Sequence, residues 1–162
     1  MSYKVCVCKK EIVLTSAWFF ALTMVATVAP LIGHNQAVTG PIVNATLFIA
    51  TALLGPQNAI LVGLIPSVVA LSTGLLPAVL APIIPFIMIS NTILILTFAY
   101  LRRKNFWLGV TAASVLKFVF LFSMSAMVMD SKMASMMSWP QLLTALAGGV
   151  IAYLALKSFK KR

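Results

Sequence analysis

Acidic side chains are almost missing from this sequence, with Glu11 and Asp130 the only carboxylates against twelve lysines and arginines. Histidine occurs once, as His34, and cysteine twice, as Cys6 and Cys8. Each scarcity closes a class of chemistry. Paired carboxylates for general acid–base work are absent, and no serine carries a nucleophile-elbow motif to use His34 as its base. Cys6 and Cys8 form at most half a metal site, because no second Cys or His cluster completes four ligands. An autonomous ion-coupled transporter would bring buried carboxylates and an internal repeat, and neither is present. The chain is therefore expected to be no enzyme, to bind no metal and to carry no cofactor.

Charge of either sign is absent from Ile12 to Leu101. What fills that stretch, and most of the rest, is apolar: 62% of the residues are hydrophobic and 9% charged. No water-soluble surface can be built from such a composition, and in lipid only helices or closed barrels satisfy the backbone. The runs are continuous rather than alternating with period two, which argues for helices. The expected fold class is an all-α integral membrane bundle. A net charge of +10 would suggest nucleic acid in a soluble protein. Here the basic residues flank apolar runs, where they orient helices in a bilayer, so no nucleic-acid partner is expected.

Turn signals divide the chain. A first span runs from Ile12 to about Ile32, longer than a signal-peptide core and without an A-x-A cleavage pattern, so it reads as retained. A polar loop follows, from Gly33 through His34, Asn35 and Gln36 to Pro41. Gly55-Pro56 and the Gly74 to Pro77 region cut Ile42–Leu101 into three further crossings. Arg102, Arg103 and Lys104 then break the chain before a fifth span, Phe106 to Met129, and a sixth, Pro140 to Leu156. The predicted organisation is an N-terminal cytoplasmic segment, 1–11, a six-helix domain, 12–156, and a basic cytoplasmic tail, 157–162. With six crossings every basic residue except Lys117 and Lys132 falls on one side, which satisfies the positive-inside rule with both termini in the cytoplasm. Cys6 and Cys8 then lie in a reducing compartment and read as incidental thiols.

Small residues spaced four apart let helices approach closely in lipid. Ala17 with Ala21, Gly109 with Ala113, and Gly148 with Ala152, joined by Gly149, fit that pattern. Pro66, Pro77, Pro82 and Pro85 each remove a backbone donor, and read equally as kinks that open a cavity or as prolines a membrane helix tolerates.

Lys117 is the one charged residue inside a predicted span. An ammonium near mid-membrane costs about 3 kcal/mol even on insertion scales, and neither carboxylate lies at its depth. Three readings remain open: bonds to polar groups within the bundle, snorkelling along its own stem, or pairing with an anionic ligand. Asn91 lies at similar depth and reads either as a second cavity residue or as an interhelical bond. At the outer surface Trp139 and Gln141 follow the Met133–Met137 stretch, with Trp139 equally a belt anchor or a binding-site wall.

The segment Ala17-Trp18-Phe19-Phe20-Ala21, together with the runs Gly40-Pro41-Ile42-Val43-Asn44-Ala45 and Pro82-Ile83-Ile84-Pro85-Phe86, resembles the substrate-binding S components of energy-coupling factor (ECF) vitamin transporters. The resemblance implies a multi-pass subunit of a prokaryotic cytoplasmic membrane that captures a small, water-soluble micronutrient at the outer face, and Lys117 favours one with a carboxylate or phosphate. It implies two kinds of partner, a membrane scaffold called the T component and two cytoplasmic ATPases. Ala17 and Ala21 take the scaffold-docking role, and the substrate lies between the outer halves of helices four, five and six under the loop after helix one. The candidate substrate-binding residues are accordingly His34, Asn35, Gln36, Asn91, Lys117, Trp139 and Gln141. The competing expectation is a structural or holin-like bundle without a ligand.

Overall fold

The computed structural model describes residues 2–32, 36–72, 82–128 and 131–160. They form six helices: α1 (Ser2–Ile32), α2 (Gln36–Leu53), α3 (Pro56–Ser72), α4 (Ile84–Leu101), α5 (Phe106–Val128) and α6 (Ser131–Lys160). No strand occurs among the described residues. Four helices are long and apolar enough to cross a membrane, over Ile12–Ala29, Ile84–Leu101, Phe106–Val128 and Ser138–Phe159. The apolar parts of α2 and α3, Ala37–Leu53 and Pro56–Val69, are shorter. The described residues are all-helical, and their composition and helix lengths are those of a multi-pass membrane bundle.

Two of the expected boundaries hold because their chemistry is local. Gly55 has φ +84, a left-handed conformation that a residue with a Cβ resists, and it ends α2 just before Pro56 opens α3. Asn105 begins α5: its Oδ1 accepts from the Trp107 N–H at 3.0 Å, and its carbonyl accepts from the Gly109 N–H at 3.0 Å. Between them, the Arg102 N–H still bonds the Phe98 carbonyl at 2.9 Å. The Arg102 guanidinium is held below its ordinary pKa, first by burial and then by the like charge of Arg103.

Other boundaries shift. Residues 2–11 continue α1 rather than standing apart from it, and the stretch from Gln36 to Pro41 is the first turns of α2 rather than loop. α6 starts at Ser131, so the Met133–Met137 stretch is helical and Pro140 lies inside the helix. Polar sequence is helical at these two helix starts because a membrane helix extends past the hydrocarbon, where it no longer needs apolar side chains. Of the prolines expected to kink spans three and four, Pro66 lies inside α3, while Pro85 occupies the first turn of α4, where no intrahelical donor is lost. Pro82 precedes α4 in a short 3₁₀ turn, and Pro77, like the Gly74 to Pro77 turn, lies outside the described residues.

α2, α3, α4, α5 and α6 form a ring, with α1 laid outside against α2 and α3. α2 closes the ring on α6 and runs in the same direction. Gly40 faces Thr144, and Gly148 faces Pro41, Asn44 and Ala45. A Cβ on Gly148 would stand 2.8 Å from the Ala45 nitrogen and 2.9 Å from the Pro41 carbonyl oxygen, so the two backbones all but touch there. Gly149, one residue on, faces Val110 of α5, and Gly109 of α5 faces Phe98 and the Arg102 backbone. These small residues do internal packing. Ala17 and Ala21 differ: both are exposed on α1, beside Phe20 and Met24.

The apolar interior is in two parts. The larger cluster includes Leu47, Phe48, Val62, Leu94, Ile95, Phe98 and Val110, with Phe48 and Phe98 edge-to-face at 4.7 Å. A separate small one holds Ile83, Ile87 and Leu121. Hydroxyls within the helices mostly bond the preceding turn, as Thr46 does to the Ile42 carbonyl and Thr51 to Leu47, which satisfies them where water is absent.

Candidate functional site

Lys117 is on the inward face of α5, one turn beyond Ala113 and Ser114, and is only 2% exposed. Its Nζ donates to the Asn44 Oδ1 of α2 and to the Asn91 Oδ1 of α4, each at 2.8 Å. The snorkelling reading is thereby replaced by a fixed position, because the stem leads inward to two acceptors. Each amide is oriented by a bond at its other end. Asn91 Nδ2 donates to the Gly63 carbonyl of α3 at 3.3 Å, while Asn44 Nδ2 donates to the Gly40 carbonyl at 3.0 Å and to Thr144 Oγ1 of α6 at 3.4 Å. The Thr144 hydroxyl donates in turn to the Gln141 carbonyl at 3.1 Å. One ammonium therefore gathers all five helices of the ring.

Helix geometry puts these groups at one level. At roughly 1.5 Å per residue, Asn44 is about 14 Å from the end of α2, Asn91 about 15 Å from the end of α4, and Lys117 about 17 Å from the start of α5. The layer lies between the two apolar clusters: Leu94 and Ala113 belong to the larger one, Ile87 and Leu121 to the smaller.

Magnitudes decide what this layer needs. Burying the ammonium costs about 3 kcal/mol, and two hydrogen bonds from a charged donor return about 1.5 to 3 kcal/mol each. The bundle can hold the lysine without a carboxylate. Amides solvate the Lys117 nitrogen but bring no opposite charge to it, in a medium of low dielectric. The partners of Lys117 are amide oxygens and include no carboxylate. Nearby, the Ser114 hydroxyl is fully buried with no partner among the described residues, and so are those of Ser125 and Ser138.

Of the residues expected to bind substrate, Lys117 and Asn91 meet directly, and Gln141 joins through its backbone carbonyl. Trp139 does not: it is 55% exposed, its ring 5.0 Å from that of Phe118 on the outside of α5 and α6. His34 and Asn35 lie outside the described residues, as does the side chain of Gln36. Asn44 and Thr144 are site residues that sequence reasoning missed. The signal that finds Asn44 is the same residue count that pairs Asn91 with Lys117, applied back from Gly55.

No group of three potential metal ligands exists among the described residues. An apolar groove of about 610 Å³ lies between α1 and α2, lined by Ala21, Met24, Val25 and Val28 on one side and by Val38 and Ile42 on the other. It faces outward and does not communicate with Lys117 through any residue of its lining. No protein-family model, no curated protein and no solved structure matches the chain.

Proposed function

We propose that the chain is the substrate-binding membrane subunit of an ECF-type importer, capturing a small anionic micronutrient at the outer face of a prokaryotic cytoplasmic membrane. One observation carries this reading: Lys117 is buried in the centre of the bundle with two neutral amides, and no carboxylate, as its partners. Polar or ionisable groups at such depth are retained for ligands or pathways far more often than for packing. A carboxylate or phosphate is the complement, since it neutralises the ammonium and accepts a charge-assisted hydrogen bond. Ala17 and Ala21 support the assembly side of the reading, because their exposure leaves a small-residue face on α1 free for the helix of a scaffold.

Mass spectrometry of the gently extracted protein tests both halves. The expected result is a retained small anion, together with a membrane scaffold and ATPases. Ala17→Leu with Ala21→Leu should release the scaffold and leave the anion bound. A sample that carries neither anion nor partners sinks the proposal.

The topology belonging to this function is six crossings with both termini cytoplasmic, α2 and α3 being short spans. Reporter fusions after Leu101 and after Arg162 should both read cytoplasmic, and translocation of either excludes that arrangement. A second reading, a structural bundle without ligand, is favoured by the two short amide bonds that hold Lys117. Under that reading the polar layer only fixes helix register.

A further inference from the structure

Positive charge gathers where α4 turns into α5. Arg102, Arg103 and Lys104 lie in that turn, and Lys157 lies near the end of α6. Arg103, Lys104 and Lys157 are exposed, while Arg102 is half-buried with the like charge of Arg103 bearing on it. The chain's two carboxylates are elsewhere in sequence: Glu11 is on α1, and Asp130 follows the other end of α5. Ring contacts bring Lys157 to the turn. The Trp107 and Tyr153 rings meet at 5.0 Å, and those of Phe106 and Tyr153 at 5.3 Å, so Tyr153 of α6 is level with the first residues of α5. Gly149, one turn earlier in α6, faces Val110, one turn later in α5, as antiparallel helices require. Lys157 is one turn beyond Tyr153 on the same side of α6, about 6 Å along the axis, which carries it past the start of α5 to the level of the turn. On the other side of the ring pair the outer surfaces of α5 and α6 are apolar, with Leu108, Val150 and Leu154 exposed. Trp107 is itself 43% exposed. An indole and a phenol between a basic cluster and an apolar surface mark the interfacial depth of a bilayer.

We infer that the Arg102 turn and Lys157 form a site for the headgroup of a phospholipid with two phosphates, seated beside Trp107 and Tyr153 with its acyl chains along α5 and α6. Two complements are needed at once, negative charge for the turn and hydrocarbon for the surface adjoining it. A free phosphate supplies the first alone, whereas a phospholipid supplies both. The number of cations selects among phospholipids. A headgroup with one phosphate pairs with one or two of the four basic side chains, while two linked phosphates reach cations on both the turn and α6. Nothing in this site depends on what Lys117 binds.

Native mass spectrometry of the full chain in a neutral detergent tests this. The protein is mixed with equal amounts of diphosphatidylglycerol, phosphatidylglycerol and phosphatidylcholine, and the retained lipid is weighed. Diphosphatidylglycerol should be held about fivefold or more over phosphatidylglycerol, the value of one further contact between a phosphate and a cation, and phosphatidylcholine least of all. Lys157→Gln and Arg103→Gln change exposed side chains and should each weaken that retention by about fivefold. Lys4→Gln alters net charge by the same amount and should leave it unchanged. Lys4 lies on α1 about 21 Å along the axis from Trp18, whose ring meets that of Phe159 on α6 at 5.1 Å. Equal losses in Lys157→Gln and Lys4→Gln would show diffuse attraction by net charge and overturn the site. Equal retention of diphosphatidylglycerol and phosphatidylglycerol overturns the assignment of two phosphates. Inorganic pyrophosphate in excess should leave the lipid bound, and complete displacement by it overturns the lipid in favour of a soluble anion.

Discussion

Asn91→Leu should destabilise the protein more than Lys117→Met. Leucine at 91 leaves the ammonium with Asn44 as its one remaining amide acceptor, and breaking a buried charged interaction from the neutral side costs about 3 to 5 kcal/mol. Lys117→Met orphans two amide oxygens, at about 1 to 3 kcal/mol each, but also removes a buried charge that cost about 3 kcal/mol to insert. Combining the two substitutions should then be milder than Asn91→Leu alone, a coupling that a double-mutant cycle of thermal unfolding reads directly. Binding separates the functional readings. If an anion pairs with the ammonium, Lys117→Met lowers affinity for it by about one to two decades. A Lys117→Met protein with undiminished anion affinity and a large loss of stability would refute the ligand role and leave the layer as a register device.

Gly148→Ala should be strongly damaging to the ring, because the added methyl meets backbone. Its Cβ meets the Ala45 nitrogen at 2.8 Å, the Asn44 Cβ at 2.8 Å and the Pro41 oxygen at 2.9 Å, and backbone atoms cannot rotate away. Relief requires α2 and α6 to separate, so the expected loss is about 3 kcal/mol, at the upper end for overpacking. The shift would also carry Asn44 away from Lys117 and Thr144, so anion affinity should fall although no binding group has changed. Gly109→Ala is the comparison, since its Cβ would stand 3.1 Å from the Phe98 ring and the Arg102 nitrogen, and it should cost clearly less. Equal stability of the two variants would show that α2 and α6 are not held at this distance.

The sequence makes the helical membrane class plain because hydropathy is a property of composition, and it marks turns where Gly55-Pro56 and the basic Arg102 to Lys104 run punctuate the chain. Helix starts in polar sequence are the blind spot. Ser131 to Ser138 and Gln36 to Thr39 carry no continuous apolar run, yet they are helical. That blind spot explains the missed residue. A span that begins at Ile42 places Asn44 at the outer edge, whereas a helix that begins at Gln36 places it two turns inside, level with Asn91 and Lys117. Lys117 itself is conspicuous as the lone charge in its span. Its partners are neutral amides on other helices, and nothing in a linear pattern says which helices meet.

Closure of the ring by α2 and α6 also sets the order in which the protein can mature. Asn44 is made early, Lys117 seventy-three positions later, and Thr144 a hundred positions after Asn44. Helices enter a bilayer one after another as the chain is synthesised, so α2 waits for its principal neighbour until the last helix arrives. In that interval the surface around Gly40, Asn44 and Ala45 has no α6 against it, and the Asn44 amide lacks Thr144. Contacts so distant in sequence make assembly slow. A nascent chain stalled before α6 is therefore the form most prone to pair its second helix with the wrong partner, and quality-control proteases would meet it there.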